Sequence, residues 1–437
     1  MNKKINGFSK LSKTDKIDWI AANFLENGAN TEGSDILKKF QFDDADFQKV
    51  FDGFSENTLS SFPMPFGIAP NFVINNKVYA VPMVIEESSV VAAASSGAKF
   101  WAARGGFHTE VLGTMKVGQV HFTWSGDAEI LRGQFFEKIK AVLLEKAAPI
   151  TANMQRRGGG VRDIELVDFS ADEADYFQLR CTFETCDSMG ANFINSVLEN
   201  FGQTFAFFLA ERTGIEPTII MCILSNYTPE CTVRAWVECD VADFHHDEAA
   251  FYAEKFRRAV RIAHLDPYRA VTHNKGIMNG IDAVVLATAN DFRAIEACAH
   301  AFAARDGQYR SLSNCLISEG KFRFWLDIPL AVGTVGGLTS LHPLAKLSLE
   351  ILGKPSAAEL MQIIAVVGLA QNFAAVRSLV TTGIQRGHMK MHLTNILNHL
   401  AATDAEATEA AVFFETKTVS FTAARAFLEN LRMKKVA

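Results

Sequence analysis

The sequence predicts an α+β protein: a large, helix-rich α/β domain interrupted by a smaller insert and followed by a helical C-terminal lobe. Three observations predict it. The chain has 437 residues, and single cores stop growing at roughly 250–300 residues, so more than one domain is expected. Between about 117 and 239 the apolar pattern alternates between periods of two and 3.6 in the order β-α-β-β-α-β, the split βαβ or ferredoxin-like arrangement. On either side of that stretch, amphipathic helices dominate. The expected segments are 1–112 and 223–380 for the large domain, 113–222 for the insert and 381–437 for a helical lid.

Each element has a local cause. Ile17, Ile20, Ala21, Phe24 and Leu25 form one helical face, with Gly28 as its stop; Phe47, Val50, Phe51 and Phe54 form another. Phe72-Val73-Ile74 reads as a strand that turns at Asn75-Asn76 into Val78–Val81. A helix begins at Ser88/Ser89 and ends before Gly105-Gly106. Over 117–239, strands are expected at 117–124, 160–169, 176–184, 218–225 and 231–239, with helices at 130–147 and 190–212. Ile194, Val197, Leu198, Phe201, Phe205 and Leu209 keep helical spacing on the second of these. Ala249, Tyr252, Phe256, Val260 and Ala263 mark a later helix, and Thr403 followed by Glu406 resembles a capping box in the terminal lobe. An apolar run before Asp291 reads as a strand, with a helix over 292–304 after it.

Bulk properties exclude several classes. With 49% hydrophobic and 21% charged residues the composition is that of an ordinary globular protein, and a net charge of −6 gives no footprint for nucleic acid. The seven cysteines are odd in number and contain no CxxC pair, which fits reduced core thiols in a cytoplasmic protein. No signal peptide is expected, because the basic N-terminus has no apolar segment behind it. The most apolar span, Leu360 to Val376, is broken by Gln362, Gln371 and Asn372, so no membrane helix is expected.

Chemistry concentrates in motifs spread along the chain. Thr272-His273-Asn274-Lys275-Gly276 sets a lysine among glycine and amides before an apolar run that leads to Asn290-Asp291. Glu86-Glu87-Ser88-Ser89-Val90-Val91-Ala92-Ala93-Ala94-Ser95 opens a helix, and Asp187-Ser188-Met189-Gly190-Ala191-Asn192 opens another. Glu56-Asn57, Pro65-Phe66-Gly67-Ile68-Ala69, Asp266-Pro267-Tyr268-Arg269, Gly333-Thr334-Val335-Gly336-Gly337 and Gly387-His388-Met389 complete the set. Singly, each has a structural reading. Acids at a helix start suit the macrodipole, and Asp291 occupies an ordinary N-cap position. The pair His388 and His392 lacks the glutamate of an HExxH site.

As an ordered set these motifs closely resemble the 3-hydroxy-3-methylglutaryl-CoA (HMG-CoA) reductase family, in its class II or bacterial branch, over nearly the whole chain after about residue 50. The departures are Thr58-Leu59, Ser88, Ser188, and Ala289 where the family has glycine beside the aspartate. The resemblance implies two successive hydride transfers that turn the thioester of HMG-CoA into mevalonate and free CoA, or the reverse. It places the catalytic set on Glu87, Lys275, Asp291 and His388. Lys275 would meet the oxyanion that develops as hydride adds. His388 would protonate the departing CoA thiolate, which a histidine of pKa ~6.5 does downhill against a thiol of ~8.5. Glu87 would supply the last proton if its pKa rises, with Asp291 holding the lysine.

The resemblance also implies that Ser89, Arg269 and Asn279 contact substrate, and that Asp187, Met189, Gly190 and Asn192 contact a nicotinamide cofactor. It implies no metal, and an active site shared between subunits of a homodimer or higher oligomer. No GxGxxG occurs. Residues 146–160 contain Arg156 and Arg157 and no acid, which favours NADPH over NADH. The competing readings are a CoA-thioester hydrolase or lyase without redox activity, a metal site at His245-His246-Asp247-Glu248, and a non-catalytic CoA-binding oligomer.

Overall fold

The computed structural model describes residues 3–25, 31–381, 393–394, 396–414, 417 and 419–436; Gly28, His388 and His392 lie outside them. Three short helices come first: α1 (Lys13–Phe24), α2 (Thr31–Lys39) and α3 (Ala45–Asp52). Ser12 and Asp44 cap α1 and α3 by accepting from Asp15 N and Phe47 N. The hairpin of β1 (Phe66–Ile74) and β2 (Lys77–Val84) turns on Asn75 and Asn76, at φ 48° and 67°. Two consecutive positive φ values suit the strand twist, and asparagine tolerates them better than most residues. Helix α4 (Val90–Ala102) follows, and β3 (His108–Val111) leads into the insert.

The insert contains β4 (Lys116–Thr123), α5 (Ala128–Gln134), a π-helical turn at Phe135–Ile139, α6 (Lys140–Gln155), β5 (Gly160–Asp168), β6 (Tyr176–Glu184), α7 (Ala191–Thr213) and β7 (Thr218–Ser225). Its antiparallel sheet has the order β5-β6-β4-β7, which is the ferredoxin-like order. Alternate residues of the sheet (Val120, Phe122, Leu179, Phe183) pack on the Ile194–Leu209 face of α7 in a core of their own.

The larger domain continues with β8 (Thr232–Asp240), α8 (Ala249–Leu265), α9 (Pro267–Ala287), α10 (Phe292–Ala303), β9 (Ser313–Ser318), β10 (Lys321–Pro329), α11 (Leu338–Leu341), α12 (Pro343–Ile351) and α13 (Ala357–Val380). Its sheet has the order β3-β8-β10-β9. Helix α13 is long and apolar enough to cross a membrane, yet 72% of its apolar window is buried inside the fold. It packs tightly against α9. A Cβ on Gly280 would stand 2.8 Å from Val367 O, and one on Gly368 would stand 2.7 Å from Ile281 Cγ1. The two helices can approach this closely only because glycine faces them at both points. The terminal lobe has α14 (Asp404–Phe413) and α15 (Phe421–Val436), a small core around Leu397, Ala410 and Leu428, and a true capping box between Thr403 and Glu406.

Several expectations are corrected. The helix expected over 130–147 is broken by the π turn and runs on to Gln155, carrying Pro149 inside it. Position 222 lies within β7, which pairs with β4 as far as Ser225, so the insert does not end there. The strand expected at 231–239 pairs with β3 and β10 and belongs to the larger sheet. The run before Asp291 is the end of α9, a helix; a fully buried apolar stretch reads alike in either conformation.

Candidate active site

Helix α9 is set by its ends and by two buried polar residues. Asp266 caps it by accepting from Tyr268 N at 3.0 Å, and Pro267 fills the first turn, where no amide donor is needed. His273 and Asn274 are buried. His273 Nε2 lies 2.7 Å from Ser313 Oγ, which donates to Asn372 Oδ1 at 2.8 Å; Asn372 Nδ2 donates back to His273 O at 3.4 Å. Asn274 accepts from Leu312 N at 3.0 Å and donates to Arg310 O at 2.8 Å. Burial drives the His273 pKa down to about 3, so the ring is neutral and bonds Ser313 as an Nε2–H donor. This network was not foreseen from the sequence. Its only signal was two polar residues in a helix whose other inward positions are apolar.

With that side pinned, helical spacing sends Thr272, Lys275 and Asn279 to the other face, while Arg269, one turn before His273, lies on the flank between them. Lys275 Nζ lies 3.3 Å from Glu87 Oε2, and Ser89 Oγ donates to Glu87 Oε1 at 2.6 Å. Ser89 occupies the N-cap position of α4 but makes no cap bond there, its hydroxyl being directed to Glu87. Arg269 is half-buried, and desolvation lowers its pKa from the usual value. The structure thus brings together Glu87, Ser89 and Lys275, with Asn279 one turn further along the same helical stripe. Lys275 is not shielded as expected: its side chain is 63% exposed in the single chain.

Asp291 belongs to a second cluster. It does not pair with Lys275; it caps α10 by accepting from Arg293 N and Ala294 N, and it binds the Arg293 guanidinium at 3.1 Å. Beside it, Asn290 Oδ1 accepts from Gly333 N at 2.8 Å. The 333–337 loop in turn rests on the loop before α7: Thr334 N donates to Asp187 O at 2.8 Å, and a Cβ on Gly333 would fall 2.5 Å from Met189 N. Asp187 is braced as well, accepting from Ala357 N at the start of α13. Gly190 caps α7 at φ 93° with no side chain on the first-turn amides. Cys186 Sγ donates to Arg157 O at 3.3 Å, which sets the Arg156–Gly160 turn against the same loop.

Asn290 N donates to Val285 O, so Asn290 and Asp291 stay at the C-terminal end of α9. From Lys275 to that end the helix rises about 15–18 Å. Within one chain the two clusters therefore lie apart. Ala289, at the family's glycine position, has φ 52°, a conformation that costs a residue with a Cβ roughly 1–2 kcal/mol. Ala289→Gly should accordingly raise stability by about 1 kcal/mol, read as a higher urea midpoint at unchanged m-value.

The metal reading finds no support in geometry. Among the described residues no group of three or more His, Cys, Asp or Glu could hold an ion, and His246 and Asp247 are 80% and 76% exposed.

Comparison with known proteins follows the same lines. A family model described as hydroxymethylglutaryl-coenzyme A reductase matches residues 19–393. A 3-hydroxy-3-methylglutaryl-coenzyme A reductase of Archaeoglobus fulgidus is 37% identical over 407 residues, covering 93% of this chain and 89% of the relative. A probable enzyme of the same name from Borreliella burgdorferi is 36% identical over 84% of this chain and 82% of its own. Among solved structures, a Streptococcus pneumoniae class II reductase bound to NADPH in open conformations superposes with a TM-score of 0.71 at 37% identity, over 86% of this chain and 99% of its own.

Proposed function

The chain belongs to the hydroxymethylglutaryl-coenzyme A reductase family, and on that premise we propose that Glu87, Lys275, Asp291 and His388 carry its reaction across two subunits. The activity is the NAD(P)H-dependent reduction of HMG-CoA to mevalonate and CoA; a hydrolase that leaves the cofactor aside is not the family's chemistry. The observation that carries the site assignment is the Glu87–Ser89–Lys275 contact, made between two motifs far apart in sequence.

The loop before α7 fits the cofactor. Uncapped first-turn amides at Gly190 suit a pyrophosphate, and Gly333, with no side chain, lets the 333–337 loop pack closely on the loop that leads into them. NADPH, when bound, supplies the hydride for each of the two reductions. Lys275 then stabilises the oxygen on which negative charge develops, Arg269 holds the acyl carboxylate by its planar fork, and Ser89 fixes the Glu87 carboxyl. Glu87 hands a proton to the final alkoxide and His388 one to the departing thiolate. Asp291 opposes the lysine's charge from the second subunit.

A homodimer satisfies this geometry. Half-sites about 15–18 Å apart along α9 cannot meet in one chain, but a two-fold axis brings the Lys275 cluster of one copy to the Asp291 cluster of the other. Tyr268, 90% exposed, and Val271 offer an apolar face next to Lys275, with Leu341, Leu344 and Leu347 as further uncovered apolar groups.

Steady-state oxidation of NADPH driven by HMG-CoA, followed by the loss of its near-ultraviolet absorbance, tests the reading. The arginine-bearing turn beside the cofactor loop gives a sharper expectation. Arg156→Glu with Arg157→Glu should lower kcat/KM for NADPH by about 10–100-fold, the worth of a charge-assisted phosphate contact, and leave NADH nearly unaffected. A wild-type enzyme that prefers NADH would refute the role given to these arginines.

A further inference from the structure

A lysine is buried where the insert joins the larger domain. Lys116 opens β4, the strand by which the chain enters the insert, and is only 4% exposed. A buried ammonium is costly unless an acceptor or a carboxylate meets it. None does so here: no hydrogen bond or ion pair joins Lys116 Nζ to a described residue. The acid next along the sheet is otherwise engaged. Glu184 follows Phe183, the register partner of Lys116, and accepts from Thr114 Oγ1 and from Cys186 N. Asp187 in turn accepts from Ala357 N.

The lysine has a definite address. With Met189 and Ile194 it lines a cavity of about 10 Å³, room for about one water, bounded on the far side by Thr228, Ile295 and Cys298. A space that small sets the side chains around it close to one another. Met189 belongs to the loop before α7, and Ile194 closes the first turn of that helix by donating from its amide to Gly190 O at 2.8 Å. The same turn has amides with no side-chain cap and no acidic residue. A helix N-terminus and a buried ammonium thus bring positive charge to one place, and both favour an anion there.

We propose that Lys116 is a positioning residue for the cofactor: from behind the 187–192 loop, its charge draws the dinucleotide's diphosphate to the start of α7. The inference rests on the cofactor reading of that loop. Charges set in protein act at a lower effective dielectric than charges in water, and salt screens them less, so the lysine need not touch the phosphates to hold them. The diphosphate is common to NADPH and NADH, so Lys116 serves both alike, unlike Arg156 and Arg157, to which the 2′-phosphate is assigned. In the free chain the unpartnered ammonium lowers stability; it gains its counter-charge when the dinucleotide binds.

The test measures direct binding of NADPH and of NADH to full-length wild type, Lys116→Met and Lys116→Gln, by the fluorescence of the reduced nicotinamide, with thermal unfolding of the free proteins alongside. Methionine keeps much of the lysine's bulk and removes its charge. Lys116→Met should raise Tm by about 2 °C or more, because an apolar group replaces a buried unpaired charge. It should weaken Kd for both dinucleotides about tenfold, and the loss should persist at about 0.5 M salt. Lys116→Gln, polar but neutral, should weaken Kd as much, since charge and not polarity is what acts. A purely structural lysine would instead give a lower Tm together with the weaker binding, and that result would overturn the proposal. So would a Lys116→Met or Lys116→Gln protein that binds both dinucleotides as tightly as wild type does. If wild type itself binds neither, the cofactor reading of the loop fails and the role of Lys116 falls with it.

Discussion

Replacing Lys275 with alanine should lower kcat by about 10²–10³-fold, the usual cost of removing one preorganised donor from a developing oxyanion. The fold should barely register the change. The side chain is 63% exposed in the single chain, its ion pair with Glu87 is to a partly exposed carboxylate, and alanine is a better helix former than lysine. Circular dichroism and Tm should stay near wild type while nicotinamide oxidation collapses. Lys275→Arg should not restore the rate, because a planar guanidinium cannot place a single compact charge where the ammonium stood. A Lys275→Ala enzyme with wild-type kcat would remove the mechanism, whatever the family.

Mixing two inactive variants should restore activity. Lys275→Ala and Asp291→Ala chains, each dead alone, should regain about a quarter of wild-type activity when unfolded and refolded together in equal amounts. Half of the resulting dimers would be hybrids, and each hybrid would have one centre built from the intact lysine of one copy and the intact aspartate of the other. This follows from the separation along α9 and from nothing else. If both residues acted within one chain, no mixture would recover. Asp291→Ala also removes the cap of α10, which costs about 1 kcal/mol, so its Tm should fall modestly while that of Lys275→Ala does not.

Much of this was legible in the residues. The Asn75-Asn76 turn, the capping box at Thr403 and Glu406, the Ile194–Leu209 helix face and the strands of the insert are short-range signals, and each has a local physical cause. The chemistry was legible through the motifs, and Glu87, Ser89 and Lys275 do meet. What could not be read was spatial. Lys275 and Asp291 are near in sequence, and only once the intervening run is known to be helical does their separation emerge. Asp187 and Thr334 gave no sign of the bond between them, since loop-to-loop contacts across the fold leave no periodicity. The ring of His273, Ser313 and Asn372 was hidden for the same reason.

The glycine seams between α9 and α13 carry a consequence for inheritance of damage. A rod whose two tips feed different reaction centres transmits any shift of its middle to both. A bulky replacement at Gly280, distant from every reacting atom, would thus cripple a pair of sites at once, and in a mixed population it would also handicap one site contributed by a healthy neighbour.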